Sequence, residues 1–272
     1  MKATTLIGIA LAGVLLMLAV LMEGGSPASF ISIPAFLIVI GGTTGAVMAS
    51  GSMRDLLAMP KLTILAFKGG EIDAKATSRT LLRLAQKARR DGLLALERDL
   101  DELDDAFARK GLQLVIDGAD SNVVDAILRS EMDWMTTRHA RNAKLFAQAG
   151  GFAPTLGILG TVMSLVHVLE NLDSPATLGK SIAGAFLATL YGVGSANLLF
   201  LPIANRLKGM AEEESVYREM LIDGVLSIQA GDNPRLLAEK LETFIAPIQR
   251  GEEPEPAPSP AAIRVESVEQ PA

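Results

Sequence analysis

Thr161, Thr189 and Tyr191 place hydroxyl groups inside long apolar runs of this chain. Pro154 and Pro202 lie in the same runs. Each proline lacks a backbone N–H and leaves a carbonyl without its helical partner. Away from bulk water such a carbonyl keeps unmet hydrogen-bonding capacity. Gly150, Gly151, Ala153, Gly157 and Gly160 precede Thr161, and Ala183, Gly184, Ala185, Ala188 and Gly192 surround Thr189. Small residues at such spacings let membrane helices approach closely. Together these are the materials of a polar wall that could guide an ion, with no acid to load it. Taken singly, each residue also has a packing explanation: a membrane Thr commonly bonds its own helix four residues back, and proline is frequent in spanning helices.

Other chemistries lack their parts. The two histidines, His139 and His167, have no cysteine and no Asp/His grouping beside them to hold a metal or form a nucleophilic triad. No glycine-rich loop ends in Lys-Ser/Thr for phosphate. The expectation is a protein that is not an enzyme and carries no cofactor. A net charge of -6 without a basic stripe argues against nucleic acid.

Four stretches without Asp, Glu, Lys or Arg must position the polar residues: Ala3–Met22, Gly24–Met53, Leu145–Leu169 and Ser181–Asn205. About 20 apolar residues cross a bilayer core as a helix, so each can span, and none contains a carboxylate. The first lacks a small-residue cleavage site and reads as a retained anchor. Of the 25 basic residues, 16 lie in 54–144 and 7 from Arg206 onward, whereas the loop Glu23–Ser32 has none and Glu170–Lys180 ends in one. Basic loops stay cytoplasmic, which places both termini and the central region in the cytoplasm. The fold class is therefore all-α: a polytopic membrane protein with four transmembrane helices and a helical cytoplasmic domain, helices 3 and 4 extending into the cytoplasm. The segments are 1–53 (helices 1 and 2), 54–144 (cytoplasmic helical domain), 145–208 (helices 3 and 4), 209–250 (cytoplasmic helical segment) and 251–272 (a tail too rich in Pro and Glu to fold).

Within the cytoplasmic region, Leu81, Leu82, Leu84, Ala85 and Ala88 mark one face of a helix that stops at Asp91-Gly92. Leu93, Leu96, Leu100, Leu103 and Phe107 are spaced 3, 4, 3 and 4, which predicts one amphipathic helix ended by Gly111 or Gly118. Asp120-Ser121-Asn122 is a cap signal. No Gly or Pro follows from Val123 to Ala149, so that helix should enter the third span unbroken. The fourth span should likewise continue to Ile228, with Gly209 its one weak point. Arg89, Arg90 and Glu97 read by themselves as a solvated, charged face.

Several of these runs resemble the MotA/PomA family of flagellar motor stator subunits, within the MotA/TolQ/ExbB superfamily. They are Gly151–Val162, Ala185–Gly192, Leu201–Leu207, Ile40–Thr43, Ala88–Glu97 and Gly224–Arg235, in order from Met1 to about Ile248. The resemblance implies a ring of five copies in the bacterial inner membrane around a MotB-type single-span, peptidoglycan-binding subunit that brings the ion-carrying aspartate. Ion flow would turn the ring and drive the rotor protein FliG. It assigns the ion path to Thr161, Thr189, Ala188, Pro154 and Tyr191, functional prolines to Pro154 and Pro202, and rotor contact to Arg89, Arg90 and Glu97. Sodium-driven members tend to read Thr-Thr where this chain reads Ala188-Thr189, so the expected ion is H+ in preference to Na+. Beyond its own copies, MotB and FliG, the expected partner is membrane lipid. The alternative is an ExbB/TolQ-like energiser of an envelope system, which the four spans and the Arg89–Glu97 segment disfavour.

Overall fold

The computed structural model describes residues 2–70, 72–170 and 175–245, and all regular structure among them is helical. The tail from Gly251 lies outside the described residues. The chain groups into two units, 1–72 with 129–216 and 73–128 with 217–272.

The first unit holds the apolar helices. Helix α1 is Lys2–Met22, and its apolar part Leu6–Met22 falls just short of a spanning length. Among the described residues, three stretches are long and apolar enough to cross a membrane: Ile33–Ser50, and parts of Ser121–Glu170 and of Ser181–Ala230. The second charge-free block is therefore helical over only 18 residues, about 27 Å at 1.5 Å per residue. Its first part is not α-helix because Gly24 has φ 76° and Pro27 opens a 3₁₀ turn, Pro27–Phe30. Ser32 then caps α2 (Ile33–Phe36), with Pro at the start of the helix where no N–H is needed. A π-turn (Leu37–Gly41) leads into α3 (Gly42–Ser50). Ala35, Val39, Thr43 and Val47 form its buried stripe at four-residue steps.

After Ser52, whose hydroxyl and the Asp55 carboxylate form a capping box, α4 runs from Met53 to Lys68. Helix α7 runs from Ser121 to Glu170, 50 residues, unbroken as its sequence predicts, Pro154 included. Asp120 starts it by accepting from the Asn122 N–H at 2.8 Å. Helix α8 (Pro175–Ser195), a second π-turn (Ala196–Phe200) and α9 (Leu201–Ala230) form one further rod. The irregularity falls at this π-turn and not at Gly209. Leu201 reaches back five residues to the Ala196 carbonyl, and Pro202 has no N–H with which to restore the four-residue pattern. Ala35 and Val39 pack with Ala153, Ala188 and Ala196. Val47 packs with Leu145 and Ala149.

The second unit contains α5 (Ala74–Asp91), a 3₁₀ segment (Leu93–Glu102), α6 (Ala106–Ile116), the first turns of α7, the end of α9 and α10 (Pro234–Glu242). Its core includes Leu81, Leu84, Leu96, Leu112, Leu128, Met220, Leu221, Ile222, Ile228, Leu237 and Leu241, each almost fully buried. The single helix expected over Leu93–Phe107 is instead two elements. The first stops at Glu102, with Leu103 as its C-cap, and Asp105 caps the second, accepting from the Phe107 and Ala108 N–H groups at 2.8 and 3.0 Å. A carboxylate that bonds two backbone donors favours a helix start over a helix interior. Gly111 ends no helix. It is buried inside α6, where a Cβ would meet Leu128 at 3.1 Å and Val225 at 3.2 Å. The helix stops at Asp117, before Gly118 at φ 80°.

Candidate functional site

The two rods carrying the polar residues touch at glycine. A Cβ on Gly192 would lie 2.5 Å from the Ala153 carbonyl oxygen, 3.1 Å from Gly157 Cα and 3.2 Å from Pro154 Cα. A Cβ on Gly157 would lie 2.9 Å from the Ala188 carbonyl oxygen. All of these neighbours are backbone, so α7 and α8 cross at the closest approach their chains permit. This crossing places Pro154 on the contact itself.

About one turn from the crossing, the same geometry brings two hydroxyls together. Thr161 Oγ1 lies 2.5 Å from Thr189 Oγ1, 3.0 Å from the Gly157 carbonyl oxygen and 3.1 Å from the Ala185 carbonyl oxygen. One hydroxyl proton serves one acceptor at a time, so when Thr161 donates to either carbonyl, Thr189 is the donor between the two hydroxyls. The bond to Gly157 is the local one that a membrane threonine makes by default. The bonds to Ala185 and Thr189 cross to the next helix and are not. The arrangement can pass hydrogen-bond polarity from helix to helix. It holds no group that ionises near neutral pH.

The other sequence-selected residues lie elsewhere. Ala188 is 1% exposed, and a Cβ on Gly160 would sit 2.9 Å from its methyl and 3.1 Å from Ile38 Cγ2. It fills the packing between α7, α8 and the Ile33–Ser50 span. The Tyr191 hydroxyl donates to the Phe30 carbonyl oxygen and accepts from the Ser32 N–H at 3.0 Å. It fastens α8 to the turn ahead of α2, away from the threonine pair. Pro202 follows the π-turn, and a Cβ on Gly150 would lie 2.6 Å from the Leu201 side chain.

In the second unit, Arg89, Arg90 and Glu97 are all exposed, on the last turn of α5 and on the 3₁₀ segment. Gly92, at φ 86° and ψ 163°, makes the corner between them; this conformation strains any L side chain. Arg89 and Glu97 form no ion pair with each other among the described residues. Arg90 donates from Nε and Nη2 to both oxygens of Asp91 at 2.9 and 2.8 Å. That hydrogen bonding holds the Asp91 carboxyl below its ordinary range and raises the guanidinium's own value.

Several contributors carried little sequence signal. Lys87 Nζ meets Asp99 Oδ2 at 2.6 Å, with Asp99 buried. This bond ties the 3₁₀ segment to α5 and sets where Glu97 stands. The two residues are twelve apart across a corner, so no periodicity announces them. Arg218 bonds both Asp105 oxygens at 2.9 and 3.1 Å while stacking 4.9 Å over Phe107. Thr43 is buried in the Ile33–Ser50 span, and its Oγ1 bonds nothing among the described residues. Its neighbour Thr44 bonds the Ile40 carbonyl oxygen at 2.8 Å.

Residues 99–220 match the MotA/TolQ/ExbB proton channel family. Motility protein A of Bacillus subtilis (strain 168) is 37% identical over 249 residues, 90% of this chain and 91% of that protein. Chemotaxis protein PomA of Vibrio alginolyticus is 33% identical, over 90% of this chain and 96% of that one. Among solved structures, the flagellar MotAB stator complex of Bacillus subtilis matches with a TM-score of 0.84 at 36% identity, over 91% of this chain and 98% of that chain. The C. jejuni MotAB structure matches with a TM-score of 0.85 at 29% identity. Similarity of this extent to motility proteins favours a motor role over an ExbB/TolQ-like one. A paired-threonine wall without an acid, a charged corner and near full-length likeness to these proteins converge: the chain belongs to the MotA/PomA family of flagellar motor stator subunits.

Proposed function

We infer that this chain forms the acid-free half of a proton-driven stator. A MotB-type helix, threaded through a ring of about five copies, brings the titrating aspartate to the Thr161–Thr189 pair. The observation that carries this reading is that pair: two hydroxyls 2.5 Å apart at a glycine crossing, in charge-free spans. Hydroxyls can solvate a proton-bearing carboxyl but cannot replace it. Each charge crossing 100 mV releases about 2.3 kcal/mol. Protonation of the partner's acid changes its fit to successive copies, and only such a difference can bias a conformational step. The position of Ala188, packed between helices here, presents no side-chain oxygen that could replace the water of a sodium ion, which supports proton over sodium.

The basic residues of 54–144 and of the segment from Arg206 onward support cytoplasmic termini in the inner membrane, with Leu6–Met22 within the first of four spans. Arg89, Arg90 and Glu97 then meet FliG. Exposed charges steer such a contact more than they hold it, which suits one that must be remade at every step. The test is proton uptake by vesicles under an imposed potential. The expected result is uptake only when this chain is reconstituted with its single-span partner, and none when the partner's membrane aspartate is Asn. Uptake by this chain alone, or flux that follows sodium and ignores a protonophore, overturns the proposal.

A further inference from the structure

Helix α4 carries three faces. Ala58, Met59, Leu62 and Ala66 pack on Ala143, Phe146, Ile203, Ala204 and Leu207. On the opposite side Met53, Leu57, Pro60 and Ile64 are exposed, Leu57 at 69%. Beside that apolar arc stand Arg54, Lys61 and Lys68, at steps of seven residues. Seven residues are nearly two turns of an α-helix, so the three cations form one row along the axis. All three are exposed, and none pairs with a carboxylate among the described residues. The only acid of the helix, Asp55, is engaged in its capping box.

The depth of this helix follows from its neighbours. It begins three residues after the Ile33–Ser50 span ends. Its packing partners Ala143–Phe146 and Ile203–Leu207 straddle the points where the charge-free stretches of α7 and α9 meet Lys144 and Arg206. Three membrane boundaries therefore coincide along one helix. An apolar arc beside a cationic row, held at a membrane edge, is the pattern of a helix seated between acyl chains and headgroups. Lys and Arg reach from such a position to the phosphates above.

The geometry points to an anionic phospholipid site: the Arg54–Lys61–Lys68 row binds negatively charged headgroups while Met53, Leu57 and Ile64 enter the acyl boundary. The lipid is a ligand of the folded stator here, one that anchors α4 against the rods it braces. The inference rests on the membrane-spanning reading and not on rotation or on the identity of the ion.

The test uses the full chain with its partner in phosphatidylcholine vesicles, with spin-labelled phosphatidylglycerol or spin-labelled phosphatidylcholine as probe. The wild type is expected to immobilise phosphatidylglycerol preferentially. Arg54→Gln/Lys61→Gln/Lys68→Gln should lower that preference by about fivefold per cation removed, the ratio that ~1 kcal/mol per basic residue represents. Raising the salt should bring the wild type toward the variant. Arg54→Lys/Lys61→Arg/Lys68→Arg should keep the preference, which separates charge from folding. An undiminished preference in the triple Gln variant overturns the proposal. So does efficient cross-linking of Leu57→Cys to a neighbouring copy, since a second protomer then covers the face. Vesicles that keep the lipid preference but conduct no protons count against the proposed function and leave this site standing.

Discussion

Replacing Gly192 with Ala tests the crossing on which the threonine pair depends. The added methyl would lie 2.5 Å from the Ala153 carbonyl oxygen and 3.1–3.2 Å from two Cα atoms. Attractive carbon contacts sit at about 3.5–4.0 Å, so the helices must part by about 1 Å. No side chain can turn aside, because every neighbour is backbone. Overpacking of this kind costs about 1–3 kcal/mol. The parting also stretches the Thr161 bonds to Ala185 and Thr189, and membrane side-chain hydrogen bonds contribute about 0.6 kcal/mol each on average. A total of about 2–4 kcal/mol follows from these terms. Gly184 and Gly194 supply the control on the same helix, since a Cβ there would meet nothing within 4 Å. Denaturant unfolding of the purified protein in detergent should show Gly192→Ala well below wild type and Gly184→Ala unchanged. Equal stability of the two variants would refute the close crossing, and with it the account of why the two threonines meet.

Thr161→Val should leave the protein in the membrane at about wild-type level, since the shape is kept, while proton flux with the partner falls sharply; full flux would reduce the pair to a helix clasp. Asp99→Asn, which leaves Lys87 facing a neutral amide in a half-buried setting, should cost about 1–3 kcal/mol in thermal unfolding, and Lys87→Met added to it should recover part of the loss. Burial raises the Tyr217 phenol above its ordinary value, against the lowering effect of its hydrogen bond with Thr77. The folded state thus keeps a proton that the unfolded state has lost, so the contribution is full below about pH 10 and disappears as pH rises through the folded value. Melting curves of Tyr217→Phe should be flatter than wild type on that alkaline side, and parallel curves would assign the sensitivity elsewhere. Arg89→Glu together with Glu97→Lys should slow swimming without lowering membrane content; an unchanged speed would remove these residues from the rotor contact.

The rods were legible because their signals are long. The run from Val123 to Ala149 without Gly or Pro predicts an unbroken helix, and α7 is one through Glu170. Glycine spacing announced close packing, and the threonines it frames do meet. Shorter signals misled. Leucine spacing over Leu93–Phe107 satisfies a helix, yet Asp105 bonds two backbone donors and divides the run. The freedom from charge of Gly24–Met53 says nothing about φ, and Gly24 and Pro27 delay the helix to Ile33. Tyr191 and Ala188 show the limit at the candidate site. Both lie in the matching motif, but a phenol reaches far enough to bind a turn some 160 residues away in sequence, and a methyl beside Gly160 is drawn into packing.

The π-turn at Ala196–Phe200 acts as a phase shifter. Because a π-turn winds less per residue than an α-helix, five such residues leave everything after them about a quarter-turn behind an uninterrupted rod. Ala185, Ala188, Gly192 and Ala196 face inward before it, and Ile203, Ala204, Leu207 and Ala211 after it. A one-residue deletion within 196–200 that re-wound the segment as plain α-helix would keep the later set on its seat, since four α residues turn about as far as five π residues. A one-residue deletion in the plain α-helix would instead swing the residues beyond it by about 100°, while leaving composition and hydropathy almost untouched. In this rod the count of residues carries as much information as their identity.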